Sequence, residues 1–99
     1  MSAHGYVYAL INPTLNGMVK VGRTTKDPTE RARELSSATG VPTPFTVAYH
    51  IYVSDCFNAE KYVHTYLEEL GYRIAGNREF FEVPLKVVID AILAAHNQM

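Results

Sequence analysis

The segment GYVYALINPTLNGMVKVGRTT, residues 5–25, decides the fold. Two runs rich in Val, Ile and Tyr flank the turn-forming residues NPTLNG, which is the pattern of a β-hairpin. A loop from Asn12 to Asn16 would place Tyr8 directly across from Lys20, with both side chains on one face. Lys20 interrupts a core strand and is therefore a candidate functional residue. The ordinary alternatives are a packed Tyr8 and a Lys20 whose stem lies along the sheet while its head stays in water.

The segment after the hairpin predicts a helix and a third strand. KDPTERARELSSATG indicates a helix from about Pro28 to Ala38, with Asp27 as its N-cap and Gly40 after its end. FTVAYHIYV is rich in Val, Ile and Tyr, so we expect a strand at the centre of the sheet. All five basic residues of the first half of the chain fall within residues 20–33, a cluster that could face phosphates or form a solvated surface.

The second half of the chain predicts two more helices around a short strand. Ser54 or Asp55 can cap the helix CFNAEKYVHTYLEEL, and Gly71 is placed as its C′ residue. A turn at residues 75–77 and a short strand around residues 80–81 follow, and PLKVVIDAILAAHNQ has the apolar period of a core-packed helix. The order ββαβα(β)α predicts a small, mainly antiparallel sheet flanked by helices, an α+β fold.

Length and composition favour one globular domain over residues 1–99. Cys56 is the single cysteine, which excludes an intrachain disulfide framework and the usual cysteine-based zinc sites. The sequence shows no signal peptide and no apolar run long enough to span a membrane, so we expect a cytoplasmic protein. The net charge of -1 argues against a general nucleic-acid coat protein.

Glu60 is the one charge on an apolar face of the second helix, which it shares with Cys56, Val63 and Leu67. A carboxylate on a face made for burial needs a metal ion or a cation such as a nearby Arg. His64 lies one turn on, and we expect it to orient Glu60 or contact a substrate, with a structural role as the alternative.

These segments together resemble the GIY-YIG nuclease family. YVY (residues 6–8) stands for its first motif and KVG (residues 20–22) for its second, while DPTERARELSS resembles its Arg-bearing helix and AEKYVH its Glu-bearing helix. The run GRTT, GVPTPF and NREFFEV looks most like a small phage- and bacteria-associated subgroup. The resemblance covers nearly the whole chain, but Lys20 occupies the place of the second motif's Tyr.

The resemblance implies a metal-dependent endonuclease that hydrolyses DNA phosphodiester bonds. Tyr8 would be the general base, with Lys20 favouring its ionised form, and Lys20, Arg31 and Arg23 would contact the phosphate. Glu60 would hold one Mg²⁺ or Mn²⁺ ion. The late polar residue of the family has no secure match, with Arg73, Asn77 and Arg78 as candidates; Arg78 and His64 are the predicted substrate contacts.

Two function classes therefore stay open. The first is the endonuclease, expected to open Tyr8, Lys20, Arg31 and Glu60 onto one shallow surface on one side of the sheet. The second is a nucleic-acid-binding or partner-binding module of the same fold that cleaves weakly or not at all. DNA is the expected partner, RNA is not excluded, and a targeting partner or a homodimer would compensate for weak binding.

Overall fold

A four-stranded sheet lies between two helical layers in the computed structural model, which describes residues 3–38, 43–72 and 79–98. Its elements in chain order are β1 (Gly5–Ile11), β2 (Met18–Thr24), α1 (Pro28–Ala38), β3 (Thr46–Val53), α2 (Cys56–Glu69), β4 (Phe80–Glu82) and α3 (Leu85–Gln98). The strand order is β3-β1-β2-β4, and neighbouring strands pair antiparallel. The predicted α+β class is confirmed.

The register of the β1–β2 hairpin differs from the predicted one. Tyr8 lies across from Gly22, and Leu10 lies across from Lys20. The reason is the turn: the Asn12 side chain accepts a hydrogen bond from the Thr14 backbone N–H at 2.9 Å, and β2 begins only at Met18. Because the slip is two residues and side chains alternate with a period of two, Tyr8 and Lys20 still project from the same face.

The expectation that the third strand is central is wrong. Within the described residues β3 pairs with β1 alone and forms an edge of the sheet, whereas β1 and β2 occupy the interior. Most of its side chains are exposed or half-buried, with Val53 the buried exception. A composition rich in Val, Ile and Tyr identifies a strand, but it does not tell a central strand from an edge strand with an aromatic outer face.

The two faces of the sheet carry separate clusters of buried side chains. Val7, Ala9 and Val21 project towards α2 and α3 and form the larger core with them. Tyr8 and Leu10 project from the opposite face and pack with α1 and with Phe45. The alternation of side chains along β1 thus assigns Tyr8 to the α1 side of the sheet.

Local signals fix the helix ends as predicted where the structure describes them. The Asp27 carboxylate accepts a hydrogen bond from the Thr29 backbone N–H, and Asp55, rather than Ser54, caps α2 through the backbone N–H of Asn58. Gly71 ends α2 at φ +86°, the left-handed conformation that favours glycine at C′. None of the helices in the described ranges has the length and apolar composition needed to cross a bilayer.

Candidate functional site

Tyr8 and Arg31 form the chemical centre of the α1 face. Tyr8 is 1% exposed, and Arg31, in the first turns of α1, lies close enough to act on its hydroxyl. Burial raises the pKa of the Tyr8 hydroxyl above its usual value of 10.0, while the guanidinium of Arg31 acts in the opposite direction. The same interaction raises the pKa of Arg31. The pair therefore couples a buried phenol to a partly exposed cation.

Gly22 makes room for this phenol. A Cβ added at Gly22 would lie 2.5 Å from Oη of Tyr8 and 2.7 Å from its Cζ, so any larger residue would displace the ring. Gly22 is also the residue that lies across from Tyr8 in the hairpin. The KVG segment therefore contributes the space in which the Tyr8 hydroxyl lies.

A basic groove opens beside Arg31, where the ends of β2, α1 and α2 meet. We define it by its lining residues, Arg23, Thr24, Thr25, Lys26, Arg31, Glu34, Cys56 and Phe57. Glu34 partly balances its charge through ion pairs with Arg31 at 3.3 Å and Lys26 at 3.7 Å. Three cations and one carboxylate leave the lining positive, as a phosphate ligand requires.

Cys56 belongs to the lining of the basic groove but is poorly suited to nucleophilic chemistry. It is buried, and burial raises the pKa of its thiol. A buried thiol with a raised pKa carries little reactive thiolate at neutral pH. The chemistry of the groove therefore depends on its charged side chains.

Arg23 and Glu60 form an ion pair at the rim of the basic groove. The Nη1 of Arg23 lies 2.9 Å from Oε1 of Glu60, and its guanidinium stacks 4.0 Å from the centre of the Phe57 ring. The Glu60 side chain is 17% exposed. The carboxylate on the apolar face of α2 thus has the cation that its burial demands, as one of the two sequence alternatives expects.

Lys20 is 6% exposed and has a different set of neighbours from the predicted one. Its ammonium lies 2.9 Å from Oε1 of Glu79 and 5.2 Å from the centre of the Phe80 ring. The expected action of Lys20 on the ionisation of Tyr8 stays a prediction, and the structure adds Arg31 as a cation that acts on this hydroxyl.

His64 connects α2 to the sheet. Its Nε2 lies 3.0 Å from the carbonyl oxygen of Val21, and its ring meets the Phe81 ring edge-on at a centroid distance of 5.2 Å. These contacts match the structural alternative for His64. Its role as a substrate contact stays a prediction.

The described residues offer a metal ion few ligands. Across residues 3–38, 43–72 and 79–98, no three His, Cys, Asp or Glu side chains come together as a group that could hold a metal ion. A single carboxylate such as that of Glu60 is still compatible with Mg²⁺, because this ion is commonly bound by one or two carboxylates together with several waters and substrate phosphates. A closed structural metal site is not built from the described part of the chain.

One protein family matches almost the whole chain. The T5orf172 domain family matches residues 5–95. The chain belongs to this family. No curated protein and no solved structure matches it. T5orf172 domains are sometimes described as nuclease-like, so the match supports a nuclease-like or DNA-binding class of domain without naming catalytic residues.

The T5orf172 match overturns the assignment to the GIY-YIG family. The two are different families. In this hairpin the Tyr8 ring packs against Gly22, which has no side chain to displace it. The site roles first inferred from the resemblance now depend on the contacts alone.

The predicted site residues lie on both sides of the sheet. Tyr8, Lys20 and Arg31 belong to the α1 face. Glu60 pairs with Arg23, which alternates with Val21 on the α2 face, although the Glu60 charge still acts on the Tyr8 hydroxyl. The expectation that all four residues open onto one surface stays a prediction for Glu60, whose partner Arg23 lines the same groove as Arg31. The two groups meet at the end of β2, along the basic groove.

Three predicted positions lie outside the described residues, namely Arg73, Asn77 and Arg78. Sequence reasoning also missed two members of the basic groove, Glu34 and Phe57. Glu34 could have been found, because its three-residue spacing from Arg31 places both on one helix surface. Phe57 has no local signal, since its contact with Arg23 spans two elements.

Proposed function

We propose that this chain is a nuclease domain that binds DNA in the basic groove and hydrolyses a phosphodiester bond there with the help of one divalent metal ion. The position of the buried Tyr8 hydroxyl beside Gly22, with the Arg31 guanidinium of the basic groove acting on it, carries the proposal. It brings a group that can accept a proton next to a cation in a positively charged groove. The nuclease-like description of T5orf172 domains supports the same class.

Arg31 and Arg23 are the proposed phosphate contacts. Their side chains are 42% and 36% exposed, and both line the basic groove. Guanidinium groups donate paired hydrogen bonds to phosphate oxygens and keep their charge as negative charge builds at phosphorus. Arg31 is paired with Glu34 and Arg23 with Glu60. Phosphate binding would therefore replace a carboxylate partner of each guanidinium with a phosphate oxygen.

Tyr8 is the proposed group that orients and deprotonates the attacking water. At neutral pH the hydroxyl is protonated, as for any tyrosine with the usual pKa of 10.0, and burial raises the pKa further. Arg31 favours the phenolate, so the fraction of active base grows as pH rises. The proposed role therefore predicts a cleavage rate that increases steadily from neutral to alkaline pH.

Glu60 is the proposed metal ligand. Its carboxylate has one oxygen on Arg23 and lies at the rim of the groove, where waters and a substrate oxygen can complete the coordination of Mg²⁺ or Mn²⁺. Such an ion supplies charge neutralisation at the phosphodiester. Arg23 holds the Glu60 side chain in place before the substrate arrives.

Lys20 has a supporting role in this proposal. Its ammonium is nearly buried against Glu79 and Phe80. Direct contact with a phosphate stays a prediction, and the observed neighbours favour a residue that holds β2 to the start of β4.

The second candidate function is a DNA-binding module that does not cleave. The pairing of Glu60 with Arg23 favours it, because a carboxylate already neutralised by a guanidinium binds a cation less strongly. Metal-free DNA binding without cleavage in Mg²⁺ or Mn²⁺ would be its signature.

The decisive experiment is cleavage of plasmid and of labelled single-stranded oligonucleotides in Mg²⁺ or Mn²⁺. We expect Arg31→Ala and Glu60→Gln to lower the rate about a hundredfold or more, since each removes a group that acts on the developing charge. Lys86→Ala is the matched surface control, because Lys86 pairs with Asp90 on α3, and it should cleave like the parent. Equal rates for Glu60→Gln and the parent would contradict the metal-ligand role. Cleavage of RNA in place of DNA would correct the substrate.

A further inference from the structure

Four aromatic side chains form a continuous patch on the open half of the α1 face. We define the aromatic patch as His4, Tyr6, His50 and Tyr52. The Tyr6 ring meets the His50 ring at a centroid distance of 5.5 Å and the Tyr52 ring at 5.2 Å, in both cases edge-on. His4 lies 6.0 Å from Tyr52. The contacts join rings from the first residues of the chain, β1 and β3.

The aromatic patch is open to solvent. Tyr52 is 51% exposed, His4 and His50 are exposed, and Tyr6 is half-buried. The buried cluster beneath α1 takes in Tyr8 and Leu10, farther along β1, and leaves Tyr6 outside it. Contiguous exposed aromatic side chains on a small domain mark a binding surface more often than scattered single ones do.

The aromatic patch borders the basic groove directly. Tyr6 lies across from Tyr52 on one side and from Thr24 on the other, and Thr24 lines the groove. His50 lies across from Tyr8, on whose hydroxyl Arg31 acts. A ligand that extends from Arg31 over Tyr6 would therefore pass from a cationic surface to an aromatic one within the width of three strands.

We propose that the aromatic patch stacks the bases of single-stranded DNA whose phosphates lie in the basic groove. The proposal rests on the nucleic-acid binding in the proposed function and adds the form of the substrate. Unpaired bases can lie flat against aromatic rings, whereas the bases of a duplex are already stacked on one another. The phosphates of such a strand match the basic groove, and its flat bases match the aromatic patch.

Charge favours this occupant over a protein partner. The groove next to the patch carries Arg23, Lys26 and Arg31 against a single lining carboxylate. A single DNA strand has one phosphate per nucleotide, so its phosphates can pair with these cations while its bases cover the aromatic patch.

The test is metal-free binding, measured by fluorescence anisotropy in EDTA with a labelled oligothymidylate and an abasic oligonucleotide of the same length. Tyr52→Leu removes the flat ring but keeps an apolar side chain, and Tyr52→Phe keeps the ring. We expect Tyr52→Leu to weaken binding of oligothymidylate by about five- to a hundredfold, the range of losing one stacked base. Tyr52→Phe should bind like the parent, and Tyr52→Leu should leave abasic binding unchanged. Thermal unfolding checks that the variants are folded.

Each other outcome overturns the inference. Equal loss for both oligonucleotides would mean that Tyr52 acts on the fold or on charge and not through stacking. Parent binding of both oligonucleotides with no effect of Tyr52→Leu would leave the basic groove as a DNA site without the patch. No parent binding to either oligonucleotide would overturn the proposed DNA binding as well. Self-association lost in Tyr52→Leu, with DNA binding intact, would identify the patch as an interface between copies of the chain.

Discussion

At the scale of single residues, Tyr8 is held between two opposing influences. Burial disfavours its ionised form, and the Arg31 guanidinium favours it. Burial is the larger of the two, so the pKa of Tyr8 in the folded chain is raised above 10.0. A hydroxyl of this kind is a hydrogen-bond partner at neutral pH and becomes a base as the solution turns alkaline.

The raised pKa of Tyr8 predicts a specific loss of stability at high pH. The unfolded chain ionises its tyrosines near pH 10, while folded Tyr8 keeps its proton to higher pH. The stabilisation is therefore complete below about pH 10 and is lost as pH rises through the folded pKa. We expect Tyr8→Phe to remove a slope of up to about 1.4 kcal/mol per pH unit from the free energy of unfolding.

Urea unfolding at a series of pH values from 7 to 11 measures this slope. Tyr52→Phe is the control, because it deletes a hydroxyl from a half-exposed ring that does not contact Arg31. Identical slopes for Tyr8→Phe and the parent would show that Tyr8 titrates in the folded chain as it does in the unfolded one.

At the scale of elements, the β2–β4 pairing carries a nearly buried cation. β4 is three residues long, and its register places Phe80 across from Lys20. The backbone carbonyl of Glu79 also accepts a hydrogen bond from the N–H of Val21 at 2.9 Å. The Lys20 ammonium and the Glu79 carboxylate therefore reinforce a short strand at the point where it begins.

The Lys20–Glu79 pair predicts an asymmetric response to mutation. Lys20→Met keeps the packed stem and removes one charge from a pair whose Glu79 carboxylate is half exposed, so we expect a change of less than about 1 kcal/mol in the free energy of unfolding. Glu79→Ala leaves a nearly buried ammonium without this carboxylate, which should cost about 1–3 kcal/mol. Urea denaturation of both variants measures the difference. A larger loss in Lys20→Met than in Glu79→Ala would show that the ammonium is well solvated without its partner.

At the scale of the whole molecule, the elements were predictable from local signals and their arrangement was not. Asp27, Asp55 and Gly71 fix helix ends through contacts with residues close to them in sequence, which a single chain reveals. The edge position of β3 depends on which strand it pairs with, and no feature of its composition specifies that.

The candidate site shows the same limit more strongly. Tyr8 and Lys20 were correctly assigned to one face, because the period of a strand survives a two-residue slip. The partners of Glu60 and Lys20 lie 37 and 59 positions away in sequence, so only the folded chain reveals Arg23 and Glu79. The aromatic patch could be predicted only with knowledge of the β1–β3 register, which brings Tyr6 to Tyr52.

The sparse ligand set of the domain predicts metal binding that depends on DNA. No group of three metal-binding side chains occurs among the described residues, and the carboxylates of the site, Glu34 and Glu60, are each paired with an Arg, so about 1 mM Mg²⁺ alone should leave the melting temperature unchanged. Mg²⁺ together with an oligonucleotide should raise it above the value for the oligonucleotide alone. Scanning fluorimetry measures both, with Glu60→Gln as the control that loses the additional increase. A rise of several degrees with Mg²⁺ alone would reveal a metal site built by the protein itself.

In the Arg23–Glu60 ion pair, the Glu60 carboxylate occupies a cation that a phosphate ligand would have to bind. Because Glu60 is attached to the same chain, it competes with an incoming phosphate at an effective concentration that dilution cannot lower. A short ligand that reaches Arg23 alone gains little by displacing it, whereas a longer strand that also engages Arg31 and the aromatic patch can outweigh it. For the proposed DNA ligand, the pair would therefore select by length and favour extended strands over free nucleotides and inorganic phosphate.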